Sequence, residues 1–479
     1  MTFQYDSMME PLFEDVNLSI HENWKLALIG RNGRGKTSFL KILLEQLPYE
    51  GSVRSSLRFS YFPTYPEPSE NITAEEMLLK NNPAKEPWEL ERELSYMKLS
   101  PEILQRRFQE LSGGEQTKLL LIELFLNEQS FSLIDEPTNN LDADGRNVVG
   151  QYLKNKQGFI VVSHDQRFLN SFVDHVLAIN RESVDLIKGN IDEWKREKDR
   201  ADHLSRETNS QLGKEIKRLS DVSGRVGSWG LQRENSTKDA SERRLAAKQM
   251  KRSKAIRKRT EEKIEEKRSL ISNIEQADRL KMNVQVPRNQ ILYLRNFSIL
   301  RNGKPLFEPV DADVYPNDRF FITGKNGAGK SSLINFLLGR EEVETTGEHR
   351  VQMPEKLSVL EQKNQREKDY GSLLGRLSFR EKEEYLHLLR QLGMERSRFS
   401  DQTSRHWSEG EQKKVFLAHA ILGSNQLFIW DEVTNYLDLF IVEQLIASIR
   451  EYEPTMIAVD HNEHFADAVA TKKLHLTKR

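Results

Sequence analysis

Two decapeptides, GRNGRGKTSF (Gly30–Phe39) and GKNGAGKSSL (Gly324–Leu333), each contain the pattern G-x-x-x-x-G-K-[ST]. Glycines so spaced let backbone N–H groups converge on phosphate oxygens at the positive end of a helix. Lys36 or Lys330 would then set a cation against the β- and γ-phosphates of a nucleotide. Thr37 or Ser331 would offer a hydroxyl to Mg²⁺. Further on, FSLIDE (Phe131–Glu136) and LFIWDE (Leu427–Glu432) each end an apolar run in a pair of carboxylates. Asp135 and Asp431 are suited to hold the same metal through its water shell; Glu136 and Glu432 are suited to polarise an attacking water. FIVVSHD and MIAVDH place His164 and His461 where they can contact the γ-phosphate and the glutamate. This is phosphoryl transfer to water, in which positioning and electrostatics supply most of the acceleration. Taken singly, a glycine-rich loop is also an ordinary turn before a helix, and either histidine an ordinary strand-end residue.

Spacing decides between these readings. Lys36 to Asp135 is 99 positions and Lys330 to Asp431 is 101; Glu136 to His164 is 28 and Glu432 to His461 is 29. LSGGEQ (Leu111–Gln116) and WSEGEQ (Trp407–Gln412) place a serine about 23 positions before each aspartate. Five features recur in one order at nearly one set of distances, so a whole domain is repeated. LALIG (Leu26–Gly30) and FFITG (Phe320–Gly324) read as strands entering the loops. SFLKILL (Ser38–Leu44) and SSLINFLL (Ser331–Leu338) read as helices leaving them. Strand, loop and helix in that order form the context a phosphate loop requires.

With 479 residues, two or three domains are expected. Charged residues are 30% and apolar residues 37%, a globular composition with room for long solvated helix. No apolar run approaches the ~18 residues of a membrane span. There is no cysteine, which excludes disulfides and thiolate metal sites, and there is no basic-then-apolar leader pattern. A cytoplasmic protein is expected. Net charge is −1, but Lys238–Arg259 holds ten basic residues against Asp239 and Glu242. That segment carries +8, leaving −9 for the remainder.

The basic segment lies between the repeats. Leu212, Ile216, Leu219, Val222, Val226 and Trp229 recur at alternating steps of three and four, the stripe of a helix of coiled-coil type over Ile191–Gln232. Four glycines weaken it, each by about 1 kcal/mol relative to alanine. A polar break at Glu234–Ser241 precedes a second helix reaching about Ile274, so a helical hairpin is expected. Its basic helix is either a solvated face or a surface for the phosphates of a folded RNA. The expected fold is α/β, with domains at 1–190 and 281–479 and the hairpin at 191–280.

LSGGEQ followed by LIDEPTNNLD (Leu133–Asp142) and VSHD resembles an ATP-binding cassette. Two cassettes in one chain, joined by a helical linker, resemble the ABC-F family of translation ATPases over nearly the whole sequence. NWKLALIGRNGRGKT, PWELERELS and MKRSK look like its Lsa branch, whose members protect ribosomes from lincosamides, pleuromutilins and streptogramin A. The resemblance implies head-to-tail cassettes, with each ATP between one loop and the opposite signature serine. One site would then join Gly30, Arg31, Asn32, Gly33, Arg34, Gly35, Lys36, Thr37, Asp135 and Glu136 to Ser408 and Gly410. The other would join Gly324, Lys325, Asn326, Gly327, Ala328, Gly329, Lys330, Ser331, Asp431 and Glu432 to Ser112, Gly113 and Gly114. It also implies that the linker enters the ribosomal exit site, near tRNA and the ribosomal RNA of the peptidyl-transferase centre. Pairing would be internal to a monomer.

Departures from the family pattern rank the sites. Glu409 replaces a signature glycine, and Val433 replaces the proline after the glutamate. YFPT (Tyr61–Thr64) ends in Thr64 where the second cassette keeps a metal-binding glutamine, Gln362. The Lys36 site is expected to be the slower one. Tyr5 takes the family's adenine-stacking position, or packs as a strand residue. The usual first strand of the cassette is expected to be short or missing. Rival functions are a housekeeping factor for stalled ribosomes, a motor subunit of an exporter, and an RNA-binding scaffold with vestigial nucleotide sites.

Overall fold

The computed structural model describes the chain except for 6–10, 68–70, 128–129, 181–182, 235–254, 257, 261–262, 265–266, 268–279, 362–373, 376 and 395–406. In the first cassette, β1 (Lys25–Gly30) runs into the loop and α1 (Lys36–Leu43) leaves it. Next come β2 (Arg58–Phe62), α2 (Gly113–Leu126), β3 (Ser130–Asp135), α3 (Ala143–Lys154), β4 (Phe159–Val162), β5 (His175–Ile179) and β6 (Val184–Lys188). The sheet order is β2-β3-β4-β1-β5-β6. All pairings are parallel except β5 with β6. Parallel strands are covered on both faces, which is why LALI, SLI and FIVV are apolar throughout rather than alternating. Leu26, Leu28, Leu40, Leu133, Ile160 and Leu177 form that buried layer.

After the helix α4 (Ile191–Glu234) comes the second cassette. It begins with β7 (Leu292–Arg301), β8 (Val310–Val314), β9 (Arg319–Gly324), α5 (Lys330–Leu337), β10 (Thr345–Val351) and β11 (Leu357–Leu360). It continues with α6 (Glu409–Ile421), β12 (Leu427–Asp431), α7 (Leu439–Tyr452), β13 (Met456–Val459) and β14 (Lys472–Leu476). The parallel order β11-β12-β13-β9-β14 repeats the five parallel strands of the first sheet, with no counterpart of β6 in that sheet among the described residues. An antiparallel sheet, β8-β7-β10, flanks it. The first cassette holds at that place only the bridges Thr2–Glu50 and Phe3–Phe13 among the described residues. At the centre of the second core, Trp430 is fully buried. Its indole donates to Ser358 Oγ at 3.1 Å, and that hydroxyl donates to the Ala420 carbonyl at 2.6 Å. The aromatic is thus buried without an orphaned N–H.

By contacts the chain divides into Met1–Ile191 with Ala277–Arg479, and Asp192–Gln276. In the second unit, α4 runs through its glycines unbroken for 44 residues, a length of about 66 Å. Leu212, Ile216 and Leu219 of the predicted stripe are half-buried. The side chains of Val222, Val226 and Trp229 lie outside the described residues. Of the second helix, 255–256, 258–260, 263–264 and 267 are described, and all are helical. Thr260 and Ile264, one turn apart, are buried, and Lys267 pairs with Glu215 of α4. The basic residues Lys238 to Lys254, the polar break and Gln362 lie outside the described residues.

Candidate functional site

Each phosphate loop leaves the C-terminal end of the strand flanked by β4 and β5, or by β13 and β14, the place where open parallel sheets gather ligands. The last loop glycine must be glycine, because Gly35 and Gly329 have φ of 89° and 92°. Lys36 Nζ donates to the carbonyls of Gly30 at 2.8 Å and Arg31 at 3.4 Å, and to Asn32 Oδ1 at 3.2 Å. Lys330 Nζ donates to the carbonyls of Gly324 at 2.7 Å and Lys325 at 3.1 Å. Both ammonium groups therefore lie folded into their own loops. Burial pushes both below the usual lysine range, against the pull of carboxylates around them.

Thr37 Oγ1 donates to Asp135 Oδ2 at 3.4 Å. Glu136 and Glu432 both adopt left-handed backbone, φ 52° and 50°, a strained conformation for a non-glycine residue. Each is held by one amide bond, to the Val162 carbonyl at 2.9 Å and the Val459 carbonyl at 2.7 Å. His164 Nε2 lies 3.1 Å from Glu136 Oε1, and His461 Nε2 lies 3.5 Å from Glu432 Oε1. The two glutamates differ electrically. Burial, then Asp135, pushes Glu136 up to about 8. Burial acts on Glu432 too, but its bond from His461, with Lys413 and Lys330, outweighs it and holds the carboxyl below the usual range. Burial, then Lys36, pushes His164 down to about 3, so this imidazole is neutral.

A hydroxyl beside a strand-end carboxylate is the hard-oxygen donor set that Mg²⁺ takes with phosphate and water, rather than an all-protein cage. Among the described residues no cluster of three or more His, Cys, Asp or Glu suited to a metal occurs. The residues present fit the ion.

The cassettes meet head to tail. Asp142 and Asp438, the N-caps of α3 and α7, each reach the opposite loop. Asp438 Oδ2 accepts the Asn32 amide at 2.8 Å, and Asp142 Oδ2 accepts the Asn326 amide at 3.4 Å. Asn32 Nδ2 donates to the Tyr436 carbonyl at 2.8 Å, and the Arg31 guanidinium lies over the Phe440 ring at 5.5 Å. Ser112 and Ser408 each cap a signature helix, α2 and α6, through a reciprocal capping box with Glu115 and Glu411. A helix N-terminus thus faces each opposite loop.

The two sides are not alike. Ser112, Gly113 and Gly114 line a cleft of about 1330 Å³ with Lys325, Asn326, Gly327, Gly329, Lys330, Ser331, Glu432 and His461. Around Gly30, Lys36 and His164 the enclosed space is about 10 Å³. There Gly410 is pressed onto Asn32: a Cβ would come 2.7 Å from its amide nitrogen and 3.0 Å from the Tyr436 carbonyl. Glu409, the residue that departs from the signature, is exposed at the first position of α6. Tyr5 donates or accepts at Ser38 Oγ, 2.8 Å away, and meets Phe3 edge-on, so its contacts are with α1 and the N-terminal segment. Arg301 and Leu306 also line the open cleft.

Sequence reasoning missed three features here. Asp142 and Asp438 follow Asp135 and Asp431 by seven positions in both repeats, a regularity that could have found them. Tyr61 donates to Asp135 Oδ2 at 3.2 Å. By register it matches Val359, so only the first cassette has this phenol. The inward turn of Asn32 had no signal, since it depends on the partner cassette.

The profile described as ABC transporter matches residues 13–139 and 307–435. The ribosome protection protein VmlR of Bacillus subtilis is 25% identical, over 98% of this chain and 85% of that one. The ATP-binding protein Uup of Escherichia coli is also 25% identical, over 96% and 77%. Among solved structures, the complex of archaeal ribosomal stalk protein aP1 with the ribosome recycling factor aABCE1 superposes with a TM-score of 0.63 at 19% identity, covering 100% of this chain and 87% of that one. A structure described as RNase-L Inhibitor gives 0.58 at 18%, covering 95% and 83%. At those identities the likeness is one of fold.

Proposed function

The chain belongs to the ABC transporter family, as a two-cassette ATPase of ABC-F type, and from that premise we propose that it binds the ribosome when ATP closes its cassettes. The observation that carries this reading is the pairing of each phosphate loop with the opposite cassette, through Asn32 with Asp438 and Asn326 with Asp142. Residues 1–190 and 281–479 act as the two cassettes and 191–280 as the ribosome-facing linker. In each site the loop amides and the lysine hold the β- and γ-phosphates. The opposite serine and glycine, Ser408 with Gly410 or Ser112 with Gly114, close over them. Thr37 with Asp135, and Ser331 with Asp431 and Gln362, would hold Mg²⁺, which supplies charge neutralisation on the transferring group. Glu136 and Glu432 orient the water, and His164 and His461 orient the glutamates.

The role proposed is protection of the ribosome against antibiotics of the peptidyl-transferase centre, in the cytoplasm. The similarity to a ribosome protection protein over nearly the full chain favours it over rescue of stalled ribosomes. The two cassettes joined by one long helix disfavour an exporter motor, because no segment for coupling to membrane helices is visible among the described residues.

The test is substitution of both glutamates by glutamine. ATP binding persists, turnover falls by about a hundredfold or more, and the variant co-sediments with ribosomes in ATP. A double variant that stays free of ribosomes in ATP overturns the partner. Singly, Glu432→Gln lowers turnover more than Glu136→Gln. A lincosamide, pleuromutilin and streptogramin A panel in a sensitive host, with and without the gene, separates protection from rescue.

A further inference from the structure

Arg146 of α3 stands at the seam between the cassettes, with its side chain largely buried. Its Nε donates to the Leu141 carbonyl at 3.2 Å. Its Nη1 donates to Asp165 Oδ2 at 3.0 Å and, across the interface, to the His461 carbonyl at 3.1 Å. Asp165 is buried and follows His164 directly. Asp165 is itself fixed, since its Oδ1 accepts the Phe168 amide at 3.0 Å. One guanidinium therefore ties the histidine turn of the first cassette to the histidine turn of the second.

The device exists in one direction only. Arg146 lies four residues after the capping Asp142; four residues after Asp438 stands Val442. Asp165 follows His164; Asn462 follows His461, and its side chain only caps its own helix, accepting the Phe465 amide at 3.1 Å. Beside it, Arg167 pairs with Glu463 and Asp467 of the second cassette, again with the cation on the first side. A charge-assisted bond to a backbone carbonyl fixes where the residue's own side chain sits. His461 faces Glu432, so the bond from Arg146 sets the histidine that orients the water-polarising group of the Lys330 site.

We infer that Arg146 is a positioning residue that makes hydrolysis at the Lys330 site depend on the first cassette, with no counterpart for the Lys36 site. This rests on the roles of Glu136 and Glu432 proposed above. It predicts an asymmetric pair of sites in which docking of the first cassette's histidine turn licenses the second site.

The experiment measures steady-state ATP hydrolysis by the full chain without ribosomes. Arg146→Met keeps length and apolar stem but removes all three bonds. In the otherwise unaltered chain kcat falls about tenfold, as for loss of one charge-assisted hydrogen bond, with KM for ATP within about twofold. The same fall appears in a Glu136→Gln background, where the Lys330 site turns over. In a Glu432→Gln background the change stays below about twofold. Arg146→Lys, which can still reach the carbonyl, recovers most of kcat. The melting temperature of both variants stays at that of the parent. Equal falls in the two backgrounds, a change confined to KM, or a fall that follows a lowered melting temperature overturns the inference. If neither glutamine variant lowers turnover, the glutamate roles fail instead, and the unaltered-chain comparison with the lysine rescue still decides the arginine.

Discussion

Tyr61 is the side chain that most separates the two metal-side environments. Its hydroxyl and that of Thr37 both donate to Asp135 Oδ2, at 3.2 and 3.4 Å, while Val359 occupies the matching position of the second cassette. Burial, then Asp135, pushes the phenol far above its ordinary range, so it remains a donor. The first cassette lacks the glutamine that Gln362 represents, and Thr64 turns its hydroxyl to the Tyr61 carbonyl at 2.8 Å instead. Tyr61 thus fixes the rotamer of Asp135 without a second protein ligand. Tyr61→Phe should lower turnover about threefold to tenfold in a Glu432→Gln background, where the Lys36 site works alone. In a Glu136→Gln background it should change little. Phosphate release measured against Mg²⁺ concentration is the check, and equal losses in both backgrounds would rule out a site-specific role.

At the scale of elements, the signature helices and the phosphate loops are one joint. The N-terminus of α6 sits against Asn32 so closely that Gly410 has no room for a methyl group. Ordinary carbon contacts begin near 3.4–4 Å, so a Cβ 2.7 Å from Asn32 Nδ2 displaces that side chain, and one 3.0 Å from the Tyr436 carbonyl makes the backbone there give by a few tenths of an ångström. Alanine costs the helix itself nothing at that position, since alanine is the better helix former. Gly410→Ala should therefore leave the melting temperature near the parent's while lowering ATP turnover by about tenfold, in proportion to lost closure. A parallel loss of melting temperature would mean that the cassette itself is damaged. Glu409 beside it is exposed and lies in the first turn of α6, where a carboxylate suits the helix dipole. Its departure from the signature pattern is therefore compatible with the helix and bears on the nucleotide side alone.

For the whole molecule, the uneven charge is the property with the clearest consequence. Lys238–Arg259 carries +8 in a chain of net −1. A basic segment in an otherwise acidic chain would bind polyanions through counterion release, with affinity falling steeply as salt rises. Reversing the charges of Lys251, Arg252 and Lys254 should weaken ATP-dependent ribosome co-sedimentation and flatten its salt dependence. Removing Gln232–Lys238 takes away little charge, so binding should persist while drug protection declines. If the charge-reversed chain binds as the parent does, the basic face only keeps the hairpin hydrated. If the shortened chain protects fully, the tip has no part in protection.

The repeat was legible in the sequence because each phosphate loop, carboxylate pair and histidine depends on local chain geometry. A strand must end and a helix must begin at fixed offsets, and Gly35, Asp135, Glu136 and their counterparts record those offsets in residue type. The long linker helix was legible for the same reason, through the recurrence of Leu212, Ile216 and Leu219. Apart from the repeated Asp142 and Asp438, contacts between cassettes left no such periodic trace. Arg146 on the His461 carbonyl and Gly410 on Asn32 join residues hundreds of positions apart. Their energies depend on the packing of two separately folded sheets. The sequence therefore carries the residues proposed for each site. Only the tertiary structure decided that the Lys330 side opens as a cleft of about 1330 Å³ while Gly410 presses onto Asn32 on the other, because that difference lies in how closely two complete cassettes approach.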